Sequence, residues 1–369
     1  MFEIFMLRPD ARRVWSHPEV KRRLSWYYDV MVDAKPAKYR ICKRIEVDVD
    51  LSSSDEELWR AHREVARTFD KVWREIASDR LSLEDLETPR ISFLDVKVEL
   101  TRRMLRSCIF CERRCRVNRE KGEKGFCNLD ATARVSSFFH HYGEEAPLVP
   151  SGTIFFTSCS FKCVFCQNWD ISTDPYNGVE VTPKQLASIA TRLRKEGCRN
   201  INYVGGNPDQ SMHVIVESLK HMDINVPILW NSNAYASLEA MEIIKDLVDI
   251  WLPDFKYGND KCAERLSLVP RYFEVVTRNL KIMHESGDMI VRHLVLPNHI
   301  ECCTEPILRW LAENCPRCLV NIMEQYRPEH EVARRPHSYP DINRRPSISE
   351  MKRAYSIADQ LGIVYEPVS

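Results

Sequence analysis

The sequence lacks both a net charge and an apolar run long enough to span a bilayer. Lys and Arg total 53, and Asp and Glu also total 53, so no global field attracts nucleic acid or a membrane surface. The N-terminal residues lead to Arg12, Arg13 and Trp15 instead of a secretory apolar stretch with a small-residue cleavage site. These absences predict a cytoplasmic protein with no membrane partner, and they leave a nucleic-acid partner open.

Cysteine, in contrast, is abundant, with 14 residues. Disulfides are disfavoured in the cytosol, so clustered cysteines there are more often metal ligands. Half of the cysteines fall into two tight groups, at 108–127 and 159–166. The others are expected to be mostly buried small hydrophobes. They are Cys42, Cys198, Cys262, Cys302, Cys303, Cys315 and Cys318.

Three regions follow one another along the chain. Residues 1–100 read as a mainly helical N-terminal extension, in which Ser54 and Glu57 form a capping box before a run of helical periodicity. Residues 101–150 form a cysteine-rich metal-binding segment. In residues 151–369, short β-branched and aromatic runs alternate with helical stretches. The predicted strands are 153–157, 202–204, 227–230, 250–252, 290–296, 319–323 and 363–365.

This alternation predicts an α/β fold of parallel strands with helical crossovers. About six units indicate a partial (β/α)6 barrel, with function on the loops at the C-terminal ends of the strands. A doubly wound open sheet is the competing architecture.

The first cysteine motif directly follows the first predicted barrel strand. Cys159, Cys163 and Cys166 offer three thiolates within eight residues, which can converge on one soft metal centre. A four-iron cluster needs four ligands, so three leave one iron open. Structural zinc sites and electron-transfer clusters usually close with a fourth protein ligand. A zinc knuckle or incidental core cysteines are the alternatives.

With Phe165 just before the last cysteine, this motif resembles the signature of the radical S-adenosylmethionine (SAM) superfamily. Within it, the chain is similar to the group related to pyruvate formate-lyase activating enzymes. The resemblance implies a [4Fe–4S] cluster on the three cysteines, SAM on the open iron, and an external one-electron reductant. Reduction would cleave SAM to a 5′-deoxyadenosyl radical that abstracts hydrogen, with Phe165 near the adenine.

The strand ends extend this resemblance. Gly205, Gly206 and Asn207 stand where the family carries a Gly-Gly-Glu-Pro-like segment, although Asn207 replaces the usual acidic residue. Asp254 and Lys256 match an Asp-x-Lys that activating enzymes place near SAM. The resemblance thereby implies a SAM site that contains Phe165, Gly205, Gly206, Asn207, Asn231, Asn233, Asp254, Lys256 and Arg292.

The second cysteine group consists of Cys108, Cys111, Cys115 and Cys127. Four thiolates can close a tetrahedral zinc site or a second [4Fe–4S] cluster, and their spacing does not choose between them. The pair Cys315 and Cys318 is interpreted as structural or incidental.

Polar residues also precede the first predicted barrel strand. His140, His141, Glu144 and Glu145 are acid/base or substrate-binding candidates, with polar loop residues as the alternative interpretation.

Together these features predict a radical SAM enzyme that acts on a protein or peptide, in the manner of an activase. An enzyme that modifies RNA or a small molecule is the alternative. A non-catalytic iron–sulfur electron carrier belongs to a different class, against which the three-ligand motif and the polar strand ends both argue.

Overall fold

The computed structural model describes residues 8–369, and its centre is an eight-stranded sheet. The strand order is β3-β1-β2-β4-β5-β6-β7-β8. The strands are β1 (Arg134–His141), β2 (Ser151–Phe156), β3 (Val179–Glu180), β4 (Asn200–Gly205), β5 (Ile228–Trp230), β6 (Ile250–Trp251), β7 (Asp288–Leu294) and β8 (Leu319–Met323).

Six of these strands are parallel and form the barrel wall. Strands β2, β4, β5, β6, β7 and β8 pair side by side in chain order. Strand β1 pairs antiparallel with β2, and β3 pairs antiparallel with β1. A doubly wound sheet would reverse its strand order at a switch point, and this sheet does not. The predicted partial (β/α)6 barrel is confirmed.

Helices connect the strands and build the N-terminal region. The described α-helices are α1 (Asp10–Arg13), α2 (Pro18–Arg23), α3 (Ser25–Met31), α4 (Lys38–Cys42), α5 (Asp55–Ala77), α6 (Phe93–Met104), α7 (Trp169–Thr173), α8 (Pro183–Lys195), α9 (Met212–Lys220), α10 (Leu238–Ile244), α11 (Asp260–Ser267), α12 (Tyr272–Ser286), α13 (Glu305–Asn314), α14 (His330–Arg334) and α15 (Ile348–Gln360). Among residues 8–369, no helix combines the length and apolarity needed to cross a membrane.

The predicted capping box opens the longest helix, α5. The Ser54 hydroxyl accepts the Glu57 backbone N–H at 3.3 Å, and the Glu57 carboxylate accepts the Ser54 N–H at 3.0 Å. Each bond satisfies a backbone or side-chain group that a helix start would otherwise leave unpaired. Leu58, Phe69 and Ile76 are buried along one face of this helix. The mainly helical N-terminal extension is confirmed.

The N-terminal helices belong to the same hydrophobic core as the barrel. One hydrophobic core runs from Trp26 to Ala358. Between α6 and the turn after α10, buried Lys97 donates to Asp246 at 2.8 Å and contacts His62 at 2.9 Å. The division into regions at residues 100 and 150 stays a prediction. The hydrophobic core runs across both boundaries, and the pairing of β1 with β2 runs across the second.

Two local expectations differ from the structure. Strand β1 was not predicted, because a bulge between Val135 and Ser137 breaks its alternation, and the consecutive residues Phe138 and Phe139 are both exposed. The strand predicted at 363–365 does not form. Its segment still runs beside β8, since the Val320 N–H donates to the Val364 carbonyl at 3.1 Å.

Candidate active site

A cavity of about 210 Å³ lies at the C-terminal ends of the parallel strands. The three cysteines of the first motif line it, and so do all nine residues that the family resemblance places around SAM. These residues come from the ends of five different strands. They meet because the carboxyl ends of parallel strands share one face of a barrel.

The loop after β2 carries the three cysteines and is anchored on α11. The Lys162 N–H donates to the Ser267 carbonyl at 3.0 Å, and the Ser267 hydroxyl donates to Cys163 Sγ at 2.9 Å. Burial raises the pKa of Cys159 to about 12 and that of Cys163 to about 11. Cysteine binds a metal in its thiolate form, so a bound cation is needed to hold these cysteines deprotonated at neutral pH.

Glycine at the end of β4 allows two strands to approach closely. A Cβ on Gly206 would collide with the Ser158 carbonyl, and one on Gly205 with the backbone of Phe156. Gly205 also has a φ of +122°, which side chains rarely tolerate. The cavity wall between β2 and β4 is consequently bare backbone, which a ligand can approach closely.

Asparagines form the next part of the wall. The Asn233 amide donates to the Ser160 hydroxyl at 3.0 Å and lies 3.6 Å from Cys159 Sγ. The Asn233 N–H donates to Asn207 Oδ1 at 3.0 Å. Asn231 is buried, and its Nδ2 finds no partner among the described residues. A buried donor without a partner is costly, so this amide suits a polar ligand in the cavity.

Asp254 and Lys256 form an ion pair in the loop after β6. The Lys256 backbone N–H donates to the Tyr272 hydroxyl at 2.7 Å, which fixes the loop. Burial acts to lower the pKa of Lys256, but the charges of Asp254 and nearby Cys163 outweigh it and raise that pKa. Lys256 therefore remains a cation beside the cysteine motif, with a carboxylate to orient it.

Arg292, from β7, is held by two buried carboxylates. Its Nε donates to Glu145 at 2.7 Å, and its Nη2 pairs with Glu144. Asn202 donates to Glu144 at 3.0 Å, and Asn321 donates to Glu145 at 2.8 Å. Burial opposes ionisation of Glu144, yet the Arg292 charge holds its pKa at about 2. Arg292 lines the cavity, but its guanidinium is already engaged by the protein.

Glu144 and Glu145 lie in the loop after β1, as the polar-loop interpretation expects, but both are buried, at 5% and 4% exposed. The polar-loop interpretation is wrong for His140 and His141, because both belong to β1. His141 Nδ1 lies 3.3 Å from Glu144, and His140 Nε2 lies 3.0 Å from Glu196. Their acid/base role stays a prediction.

The second cysteine group packs directly against the loops that build the cavity. Cys108, Cys111, Cys115 and Cys127 line one small pocket. Cys111 pairs with Ala236 in an isolated β-bridge, and the Ser158 hydroxyl donates to the Cys127 carbonyl. A Cβ on Gly125 would lie 2.8 Å from Cys115 Sγ, so glycine makes room for this thiol.

A third group was missed in the sequence. Cys262, His299, Cys302 and Cys303 bring their ligand atoms within 4.8 Å of one another. The expectation of buried hydrophobes fits Cys42, Cys198, Cys315 and Cys318, which are buried, but it is wrong for Cys302, which is exposed. The local signal was the His-x-x-Cys-Cys spacing at 299–303; its fourth member lies 40 residues away from Cys302.

Comparison with known proteins assigns the chain to a family. The family model described as "Radical SAM superfamily" matches residues 153–311. The "Uncharacterized protein MJ0674" of Methanocaldococcus jannaschii is 41% identical over 352 residues, which cover 93% of this chain and 100% of that protein. The chain belongs to the radical SAM superfamily, whose members are enzymes of radical chemistry that use a [4Fe–4S] cluster and SAM.

Parts of the chain are similar to solved structures. Streptococcus suis SuiB bound to precursor peptide SuiA is 16% identical with a TM-score of 0.40, over 55% of this chain and 44% of that chain. A domain of pyruvate-formate lyase-activating enzyme from Bacteroides vulgatus ATCC 8482 is 15% identical with a TM-score of 0.31, over 50% of this chain and 89% of that one. The chain thus spans less than half of SuiB.

Proposed function

We propose that this protein binds a [4Fe–4S] cluster and SAM in the cavity at the strand ends and abstracts hydrogen from a protein or peptide. The observation that carries the proposal is the convergence of three cysteines and nine predicted SAM contacts on one cavity. The chemistry that a cluster with SAM supplies there is one-electron cleavage of SAM to a 5′-deoxyadenosyl radical.

One set of residues binds the cluster and another set contacts SAM. Cys159, Cys163 and Cys166 are the cluster ligands, and their number leaves one iron for SAM. The unpartnered Asn231 amide is a donor for a carboxylate or ribose oxygen, and Asp254 is an acceptor for an ammonium or hydroxyl group. The bare backbone at Gly206 lets the ligand lie flat against the wall.

Aromatic side chains protect the site from water. Phe165 is 3% exposed and packs edge-on against Tyr326, with ring centroids 5.6 Å apart. Tyr257 also packs edge-on against Phe165, with ring centroids 6.5 Å apart. An apolar wall beside the cysteines excludes water, which suppresses side reactions of a reactive intermediate.

The surroundings of the cavity favour a peptide substrate. Gln325 lines this cavity and also two larger ones, of about 510 and 630 Å³, on the open side of the barrel. A run of cavities that reaches the surface fits an extended chain better than a compact metabolite. Its lining mixes Arg8 and Arg13 with Glu366 and the buried glutamates. RNA binding needs a positive surface, so this mixed charge favours peptide over RNA.

The second cysteine group fits an auxiliary [4Fe–4S] cluster better than zinc. Among residues 8–369, one group of three or more potential ligands lies within 4.8 Å, and it is not this one. Thiolates around a cubane are farther apart than thiolates that share one ion. Arg113 contacts the loop of the first motif through the Ser160 carbonyl at 3.1 Å and lines the second pocket. The two sites are therefore neighbours, which suits electron transfer from an external reductant.

The first experiment is anaerobic reconstitution with reduction in the presence of SAM. We expect SAM to change the EPR spectrum of the reduced cluster and 5′-deoxyadenosine to be released. Cys163→Ala should abolish the release, whereas Cys198→Ala, which alters a buried cysteine outside all three groups, should not. Release that persists in Cys163→Ala would contradict the assignment.

The second experiment counts metal. Reconstituted protein should hold about eight irons, and replacing Cys108 and Cys111 together should leave about four with SAM binding intact. A wild-type protein with about four irons and a zinc that the double variant loses would identify a zinc site instead.

A third experiment tests the class of substrate. Deuterium transfer into 5′-deoxyadenosine from a deuterated partner peptide would support a peptide substrate, and transfer only from RNA or a metabolite would refute it.

A further inference from the structure

A compact group of ligating side chains lies outside the cavity, between α11 and the turn that follows β7. Cys262 lies in the first turn of α11, and His299, Cys302 and Cys303 precede α13. His299 Nδ1 lies 3.7, 3.3 and 3.8 Å from the sulfurs of Cys262, Cys302 and Cys303. Cys302 Sγ lies 4.0 Å from Cys262 Sγ and 3.9 Å from Cys303 Sγ.

These distances match four ligands on one tetrahedral ion. Zinc bonds of about 2.3 Å to sulfur and 2.0–2.1 Å to nitrogen place tetrahedral sulfurs about 3.8 Å apart and sulfur about 3.6 Å from nitrogen. A cubane cluster is far larger and would hold its thiolates farther apart. Three thiolates with one imidazole form a common donor set of structural zinc sites.

The imidazole is oriented by a carboxylate on its far side. His299 Nε2 lies 3.0 Å from Asp341, whose carboxylate also accepts from Arg265 at 3.2 Å. This contact leaves Nδ1 to face the three sulfurs. Metal-binding histidines characteristically donate their other ring N–H to such a partner, which fixes the tautomer and the ring plane.

We infer that Cys262, His299, Cys302 and Cys303 form a closed, structural zinc site. All four tetrahedral positions are taken by protein side chains, so the ion keeps no open position for substrate. The site joins the loops after β6 and β7. At Gly258, a Cβ would lie 2.7 Å from the Cys302 carbonyl, so glycine permits this approach.

The bound zinc would also brace the candidate active site. Helix α11 carries the zinc ligand Cys262 in its first turn and ends at Ser267, whose hydroxyl donates to Cys163. The backbone of Leu266 accepts the Val164 N–H at 2.9 Å. One short helix therefore links the zinc site to the loop of the first cysteine motif.

The test uses the whole chain, purified anaerobically with its iron in place. Elemental analysis should find one zinc that Cys262→Ala removes without loss of iron, while the matched Cys198→Ala retains it. X-ray absorption at the zinc edge should show three sulfurs at about 2.3 Å and one nitrogen at about 2.0 Å. Zinc that is unchanged in Cys262→Ala, or lost instead from the Cys108 and Cys111 double variant, would overturn the inference.

A second variant covers the case in which Cys262→Ala does not fold. Asp341→Asn keeps all four ligands and should weaken zinc retention against a chelator by about 10–100-fold. Alkylation gives an independent readout, since Cys302 is exposed and should react faster once zinc is chelated. Equal zinc retention in Asp341→Asn, or equal alkylation with and without chelator, would refute the site.

Discussion

Replacing Glu144 by Gln tests the buried ion pair beside the candidate active site. The substitution keeps the shape of the side chain and removes its charge. Glu144 is 5% exposed, and the Arg292 charge lowers its pKa from 4.5 to about 2 against the opposing effect of burial. At about 1.36 kcal/mol per pKa unit, this shift corresponds to roughly 3 kcal/mol of stability at pH 7.

The pH dependence follows from the sign of the shift. A carboxyl group with a lowered folded pKa contributes its full stability above its unfolded pKa of 4.5 and loses it as pH falls toward 2. The difference between wild type and Glu144→Gln should therefore be constant from pH 7 to about pH 5 and fall to roughly 1 kcal/mol at pH 3.

Urea unfolding of the metal-free chain, followed by tryptophan fluorescence, measures this difference at each pH. Glu366→Gln is the matched control. Glu366 lines the cavity of about 510 Å³ that Glu144 also lines, but its side chain is exposed, so the substitution should change stability by less than about 0.5 kcal/mol. A Glu144→Gln difference below about 1 kcal/mol at pH 7, or one that does not shrink at pH 3, would refute the reasoning.

Other predictions address the remaining contacts. Lys97→Met should destabilise the fold by about 1–3 kcal/mol, because Asp246 loses its buried cation and keeps only the partly exposed Lys245 at 2.9 Å, and the Lys97→Met, Asp246→Leu double variant should recover part of this loss in denaturant unfolding. Gly206→Ala should cost about 1–3 kcal/mol and weaken SAM binding, since its Cβ would collide with Ser158, whereas Gly143→Ala should do neither. Asp254→Ala should weaken SAM binding by roughly 1–3 kcal/mol in equilibrium dialysis, without unfolding the chain.

The parallel strands could be predicted because their chemistry is local. Strands covered on both faces read as nearly continuous apolar runs, as in β8, where Asn321 is the one polar residue and the predicted bounds coincide with the observed ones. The cavity residues came from the family resemblance instead, because its motifs lie within a few positions of strand ends. Strand β1 was missed because one of its faces meets solvent, where no apolar signal is required.

Long-range pairing is what the sequence could not supply. Arg292 was predicted as a SAM contact from its match to an arginine of the related activating enzymes, but its partners Glu144 and Glu145 lie 148 and 147 residues away. Any of the many acidic residues could have been its partner on sequence grounds alone. Only the closure of the barrel brings the end of β1 opposite β7 and gives the arginine two carboxylates.

The distances between cysteine sulfurs in the fold distinguish metal sites that the sequence alone does not distinguish. In the chain, Cys302 and Cys303 are as close as any pair in the two recognised motifs, yet they resembled neither motif. The fold adds Cys262 and His299, and it draws the four ligand atoms within 4.8 Å, a span suited to one ion. The groups at 108–127 and 159–166 do not contract this far among the described residues. A larger metal unit fits both of them, and this difference in ligand separation is the ground on which we propose two clusters and one zinc.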